Sequence, residues 1–339
     1  MQDELAEISK ARSALMGCAM LAVMLFHQFF TTFPGSFVFH WYGDLGVDMF
    51  LFLSGFGIYH SLRKRHSGGL RSFYCRRFIR IIPAAVIAGI FVAIPLGGDT
   101  MEYWPLCILG LNLWYVRAII ILYILSPFIL SLFEKSRRQW TIFLLISACS
   151  MAASSLVLYS LSSKLGIYHP LVQTTGWTLA RLPIFAFGLF LPIRHESGKG
   201  KLPCFHCAVA AMLLSLPAAF CHSPLSEIPP DLYCHIPLNM CYAALIPLVY
   251  LSARAASKLF SLVTPVALRP LQWVGTFSLE IYLVHEAVFG FINKHCGPGW
   301  MSFLAAFMLS FLLASLLHWI AAPIQDWLSS HTYRKTTNS

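Results

Sequence analysis

Apolar runs separated by short polar and basic stretches organise the chain. A helical crossing of a bilayer needs about 20 predominantly apolar residues, and somewhat shorter runs are tolerated. Ten windows qualify, near 13–33, 45–62, 80–96, 114–133, 139–161, 174–193, 204–221, 236–253, 276–295 and 300–321. The stretch Trp104 to Leu111 is too short to span and is expected to form a half-helix. The pattern predicts an all-α polytopic membrane bundle of about ten transmembrane helices, with no soluble domain, long linker or low-complexity tract. Lys10 and Arg12 precede the first run, but Phe33-Pro34-Gly35-Ser36 is a poor cleavage site, so an uncleaved first helix is expected.

Composition agrees. Of 339 residues, 58% are hydrophobic and 11% charged, against roughly 45–50% and 25% in soluble globular chains. That balance excludes an ordinary cytosolic enzyme, a disordered chain, a coiled coil and a collagen. The net charge of +10 would suit nucleic acid if it formed a patch. Its basic residues sit instead in short loops between apolar runs, where they orient membrane proteins. Placing the N-terminus inside puts 20 Lys and Arg in the cytoplasmic loops and 3 in the outer ones. This asymmetry predicts both termini in the cytoplasm, with the lipid bilayer and not nucleic acid as partner. The ten cysteines are scattered and read mainly as small apolar packing residues. Cys204-Phe205-His206-Cys207 is a single CxxC with no second pair, so no metal is expected.

Ionisable side chains inside spans are costly, about 2.5–3.5 kcal/mol at the helix centre, which makes each a functional candidate. The set is His27, Asp48, Arg117, Arg181, Glu280, His285 and Glu286. His27 and Asp48 fall at similar depth on consecutive spans joined by a short loop. A carboxylate beside an imidazole fixes its tautomer and raises its basicity, as a general base requires. The same two residues also fit a buried polar pair holding helices together. Arg117 and Arg181 lie a few residues in from the outer face, placed either to bind an anionic or hydroxyl-rich acceptor or to snorkel to headgroups. His285 sits mid-span beside Tyr282 and Glu286, where a packing role is the alternative.

The inner loop 63–80 carries seven Lys and Arg, more than orientation alone needs. Arg76 and Arg80 are four apart and share a helical face, with Arg77 beside them. Arginine forks suit phosphate and pyrophosphate, so a cytoplasmic phosphate-bearing cosubstrate and an anchor on anionic lipid are both consistent.

Four segments, in order, resemble the family-3 integral-membrane acyltransferases, ten-helix bacterial proteins that acylate surface glycans. Gly46-Val47-Asp48-Met49-Phe50-Leu51-Phe52-Leu53-Ser54-Gly55-Phe56 looks like that family's G-V-D-x-F-F-x-x-S-G-[FY] signature. Arg76-Arg77-Phe78-Ile79-Arg80-Ile81-Ile82-Pro83 is similar to its R-R-x-x-R-I-x-P segment. Trp114-Tyr115 with Tyr123 and Pro127 fits its W-[FY]…Y…P span, and Ser278-Leu279-Glu280-Ile281-Tyr282-Leu283-Val284-His285 fits its late S-x-x-I-Y-L-x-H segment. Arg181-Leu182-Pro183 with Gly188 is a weaker fifth match. The likeness covers about residues 13–325, which implies a single integral-membrane acyltransferase domain.

The resemblance implies a membrane-bound O-acyltransferase of the bacterial cytoplasmic membrane. It would move a short acyl group, acetyl by expectation, from acyl-CoA to a hydroxyl of a cell-surface or secreted glycan or glycolipid, with no bound cofactor. The family's first-span histidine falls on His27, the expected general base, with Asp48 orienting it. Arg76, Arg77 and Arg80 are the expected acyl-CoA phosphate ligands. The family arginine eleven positions before the histidine is Met16 here; Arg12, one turn nearer the cytoplasm on the same face, is the candidate substitute. Ser54, Arg117, Arg181, Tyr282 and His285 are the acceptor or oxyanion candidates, with Ser54-Gly55-Phe56-Gly57 also read as a close helix contact. A secondary transporter is the alternative class. It would usually show an internal hydropathy repeat, and residues 1–170 and 171–339 show none.

Overall fold

Helices account for nearly all of the computed structural model, which describes residues 2–32, 38–63, 69–96, 104–166, 169–196, 236–297 and 299–337. They are α1 (Gln2–Thr32), α2 (Val38–Arg63), α3 (Gly69–Ala88), α4 (Trp104–Ile108), α5 (Trp114–Lys135), α6 (Gln139–Leu165), α7 (Thr178–Glu196), α8 (Ile236–Ser261), α9 (Pro265–Thr276), α10 (Ser278–Cys296) and α11 (Trp300–Thr337). No strand occurs among the described residues. π-helical turns extend α3 at Gly89–Ala93 and lead into α7 at Gln173–Trp177.

Among the described residues, seven helical stretches are long and apolar enough to cross a membrane: Glu4–His27, Gly43–Arg63, Gly69–Leu96, Trp114–Lys135, Gln139–Leu161, Pro170–Glu196 and Trp300–His331. The chain therefore has the helices of a multi-pass membrane protein. The window 204–221 lies outside the described residues, and 236–253 falls on α8, where many side chains also lie outside them. The window 276–295 is α10, which spans 19 residues. It carries Glu280, Glu286 and Lys294, which lowers its apolar character because α10 supplies polar chemistry to its surroundings. The expected half-helix is present as α4.

The described residues divide into two compact units, one drawn from 1–12, 48–61 and 124–264, the other from 13–47, 62–123 and 265–339. In the first, α2 and α7 meet backbone to backbone. A Cβ on Gly55 would strike the Phe185 carbonyl oxygen, and one on Gly188 would strike the Phe52 carbonyl oxygen. Small residues that admit close backbone approach are a recurrent way to join membrane helices, where lipid supplies no hydrophobic drive. The Gly55 contact is the one that the Ser54–Gly57 segment suggested. Around it packs an aromatic cluster in which the Phe190 ring lies 4.7 Å from Trp140 and 5.2 Å from Phe143, centroid to centroid. Gly188→Val is expected to destabilise the protein by about 1–3 kcal/mol or more through overpacking. Thermal unfolding in detergent checks this, and an unchanged midpoint would contradict the contact.

In the second unit α3, α10 and α11 pack together. The half-helix α4 rests on α3. A Cβ on Gly89 would meet the Cys107 carbonyl, while Gly110, at φ +66°, turns the chain against Ala85. Only glycine takes that φ without strain.

Candidate functional site

The second unit holds a pair of histidines. His285, on α10, is fully buried, and its Nδ1 lies 2.8 Å from the Tyr282 carbonyl oxygen. A carbonyl only accepts, so Nδ1 carries the proton and donates it. In the neutral ring Nε2 is then the lone-pair nitrogen. That atom is buried and meets no hydrogen-bond partner among the described residues. The ring of His27, from α1, stands 5.0 Å from that of His285 at an interplanar angle of 70°.

Helical spacing explains the rest of the setting. Tyr282 and His285 are three apart and share a face of α10, with ring centroids 5.3 Å apart. Phe289, one turn further on, is 6.1 Å from His285, and Tyr115 from α5 is 5.0 Å from Tyr282. Phe26 lies against His27 at 5.0 Å. Both tyrosines and Phe289 are buried. The buried His285 and the partly buried His27 thus meet beside aromatic rings.

Arg117 is buried in the same unit. Its Nη1 donates to the carbonyls of Leu111 at 2.5 Å and Asn112 at 2.8 Å. It therefore secures the turn that leads into α5, whose first residues include Tyr115.

The arginine segment of α3 is distributed over three kinds of contact. Arg76 donates to Ser72 Oγ at 2.6 Å, one turn back along the same face. The guanidinium of Arg77 lies 5.7 Å from the Phe73 ring centre and 5.5 Å from that of Tyr123, stacking that leaves the planar fork its edge donors. Arg80 reaches inward with both terminal nitrogens to Glu280, at 2.5 and 3.0 Å. Glu280 is fully buried and also accepts from His318 Nδ1 at 3.0 Å. Gln325 donates to the Arg80 carbonyl at 3.1 Å. Arg80, Glu280 and His318 thus tie α3, α10 and α11 together at the start of the helix that presents Tyr282 and His285.

The first unit holds the remaining candidates. Asp48 and Arg181 are both buried and form an ion pair at 3.2 Å between α2 and α7. Ser54 is buried six residues further along α2. Arg12 lies over Gly57, where an added Cβ would come within 3.1 Å of its guanidinium. His27 belongs to the second unit and Asp48 to the first. Asp48 is described with Arg181, and His27 with the rings of Phe26 and His285. Among the described residues no group of three His, Cys, Asp or Glu could hold a metal ion. Cys204 and Cys207 lie outside the described residues.

Sequence reasoning named Glu280 and Arg80 but not their pairing, nor the α11 residues that join them. His318 and Gln325 come from α11, and nothing in local spacing links them to Glu280 or Arg80. The Ser72–Arg76 contact, in contrast, is an i, i+4 pair readable from the sequence.

No curated protein and no solved structure matches the chain. A family model described as an acyltransferase domain matches residues 14–319, which include His27, the α3 arginines, the Asp48–Arg181 pair and the Tyr282–His285 face. Matched over nearly its whole length, the chain belongs to the family 3 acyltransferases and is an acyltransferase that moves groups other than aminoacyl groups.

Proposed function

We propose that this acyltransferase is a ten-span, single-domain protein of the bacterial cytoplasmic membrane with both termini inside. It moves acetyl, or another short acyl group, from acyl-CoA to a hydroxyl of a cell-surface or secreted glycan or glycolipid. The observation that carries this reading is His27 against the buried His285 in an aromatic setting, in the unit that also bears the α3 arginines. Acyl transfer to a hydroxyl needs a base within reach of the O–H, and phosphate ligands suit a donor with a charged handle.

The reaction follows from these groups. His27 takes the acceptor's hydroxyl proton as the oxygen attacks the thioester carbonyl, forming the new C–O bond. The tetrahedral intermediate collapses with breakage of the C–S bond, and the imidazolium returns the proton to the departing CoA thiolate. The oxyanion requires a hydrogen-bond donor in between, a role for which Tyr282 is the candidate in this unit. Arg76 and Arg77 hold the donor's phosphates, while Arg80, anchored on Glu280, holds the segment to α10.

Inside-out membrane vesicles supplied with acetyl-labelled acetyl-CoA test this. Label is expected in the glycan or glycolipid fraction, with succinyl-CoA as the parallel arm. Vesicles that leave both fractions unlabelled with every short acyl-CoA, while moving a small polar solute, would favour transport instead. Arg77→Ala is expected to raise KM for acyl-CoA roughly tenfold with little change in kcat, since a charged hydrogen bond contributes about 1.5–3 kcal/mol. An unchanged KM would remove Arg77 from the donor site.

A further inference from the structure

The acyl-transfer reading gives His27 a proton to take, which calls for a group that sets its tautomer. We infer that His285 is such a group, accepting the N–H of His27 at its bare Nε2 during the reaction; this rests on the function proposed above.

Four observations converge. Donation to the Tyr282 carbonyl fixes the proton of His285 on Nδ1, which leaves Nε2 able only to accept while the ring is neutral. Nε2 is fully buried without a hydrogen-bond partner among the described residues, and an unsatisfied buried acceptor is unusual in a folded protein. The nearest titratable ring described is His27, at 5.0 Å between centroids. Two imidazoles joined nitrogen to nitrogen by a hydrogen bond of about 2.9 Å have centroids only roughly 5 Å apart. The observed ring separation is therefore that of such a bond.

The chemical consequence is specific. When His27 donates one nitrogen's proton to His285 Nε2, its other nitrogen must carry the lone pair, and that nitrogen faces the acceptor hydroxyl. When His27 takes the substrate proton, the imidazolium N–H on the far side is held by a neutral acceptor within hydrocarbon surroundings. The arrangement is the nucleophile, base and orienter sequence of hydrolytic triads, with a tautomer-locked histidine as the third member. His285 is thus a positioning residue acting through His27.

Gln and Met side chains are close in length but differ in what they offer. The amide oxygen introduced by His285→Gln would stand near the Nε2 position, whereas Met offers only a weak sulfur acceptor. Purified full-length protein in nanodiscs, assayed with acetyl-CoA and a glycan extract, is compared as wild type, His285→Gln and His285→Met. The Met variant is expected to lose kcat on the order of 10²-fold with KM for acetyl-CoA unchanged. The Gln variant is expected to recover at least about tenfold of that loss. Should the Met variant fail to accumulate, His285→Asn replaces it, because the shorter amide falls short of His27; the same loss is expected.

Equal losses in Gln and Met variants would show a purely structural role and overturn the inference. So would a Met or Asn variant with wild-type kcat, or a full loss on changing His285 alongside normal turnover in His27→Ala. Wild type that transfers no acyl group from any acyl-CoA would overturn the function proposed above and this inference with it. Active wild type beside an unimpaired His285 variant would overturn the inference alone.

Discussion

His27→Ala is expected to reduce acyl transfer by about 10²–10⁴-fold while leaving the protein in the membrane at normal level. The magnitude is that of removing a positioned general base. The expectation of normal folding follows from burial: His27 is only partly buried, and it sits on a helix whose packing residues, such as Met20 and Met24, are fully buried on their own account. Alanine removes a partly buried imidazole and leaves that packing in place. The loss should fall on kcat, because His27 is asked to act on the proton that moves in the transition state rather than on the donor's phosphates. A raised KM for acyl-CoA at unchanged kcat would instead make His27 a donor-binding residue.

The second large effect is expected at Arg80, and it is an effect on stability. Glu280 is fully buried, and Arg80 engages both its oxygens. Arg80→Ala would leave a buried carboxylate with His318 as its described partner. Breaking one side of a buried ion pair costs about 3–5 kcal/mol. The lower end is expected here, because the Arg80 side chain is 39% exposed and water screens part of the interaction. Removing both charges, as Arg80→Ala with Glu280→Ala, is expected to restore much of the stability, since no unpaired charge then remains. Thermal unfolding of the two single variants and the double in detergent measures the coupling. The result matters for function as well, since lost activity in Arg80→Ala alone would otherwise be read as lost donor binding. Wild-type stability with a raised KM for acyl-CoA would return Arg80 to the phosphate site beside Arg76 and Arg77.

The sequence made much of this architecture legible because bilayer crossing imposes a length and an apolarity that few other structures share. Seven of the expected windows coincide with helices that meet both conditions, and the half-helix at Trp104 was visible as an apolar run too short to span. α10 shows where that rule weakens. A helix that carries Glu280, His285 and Glu286 sacrifices apolarity for chemistry, so its 19 residues were recognisable more by motif than by hydropathy.

The polar groups within the spans were legible one by one, their pairing less so. His27, Asp48, Arg181, Glu280 and His285 were identifiable because polar groups are rare in spans and each invites a reason. Which would meet which was not, because contacts between distant helices leave no periodic trace. The described ion pair of Asp48 is with Arg181, on a helix more than a hundred residues away in sequence, and no local spacing announces it. The α3 arginines looked equivalent as a cluster, yet their helical phases send Arg77 onto aromatic rings and Arg80 onto Glu280. Helix geometry made Arg76 and Arg80 neighbours; only the neighbouring helices α10 and α11 decided that Arg80 would be tied inward.

Acyl transfer from a CoA donor to a glycan through His27, as proposed above, would leave a mass signature on the acceptor. Mass spectrometry of surface glycans tests it most directly, with cells carrying the wild-type chain, His27→Ala at matched membrane levels, or no chain. An acyl mass increment, that of acetyl first, is expected on glycans from wild-type cells alone. An increment of equal size in His27→Ala cells would contradict the assigned base, and identical glycans in all three would contradict the proposed acceptor.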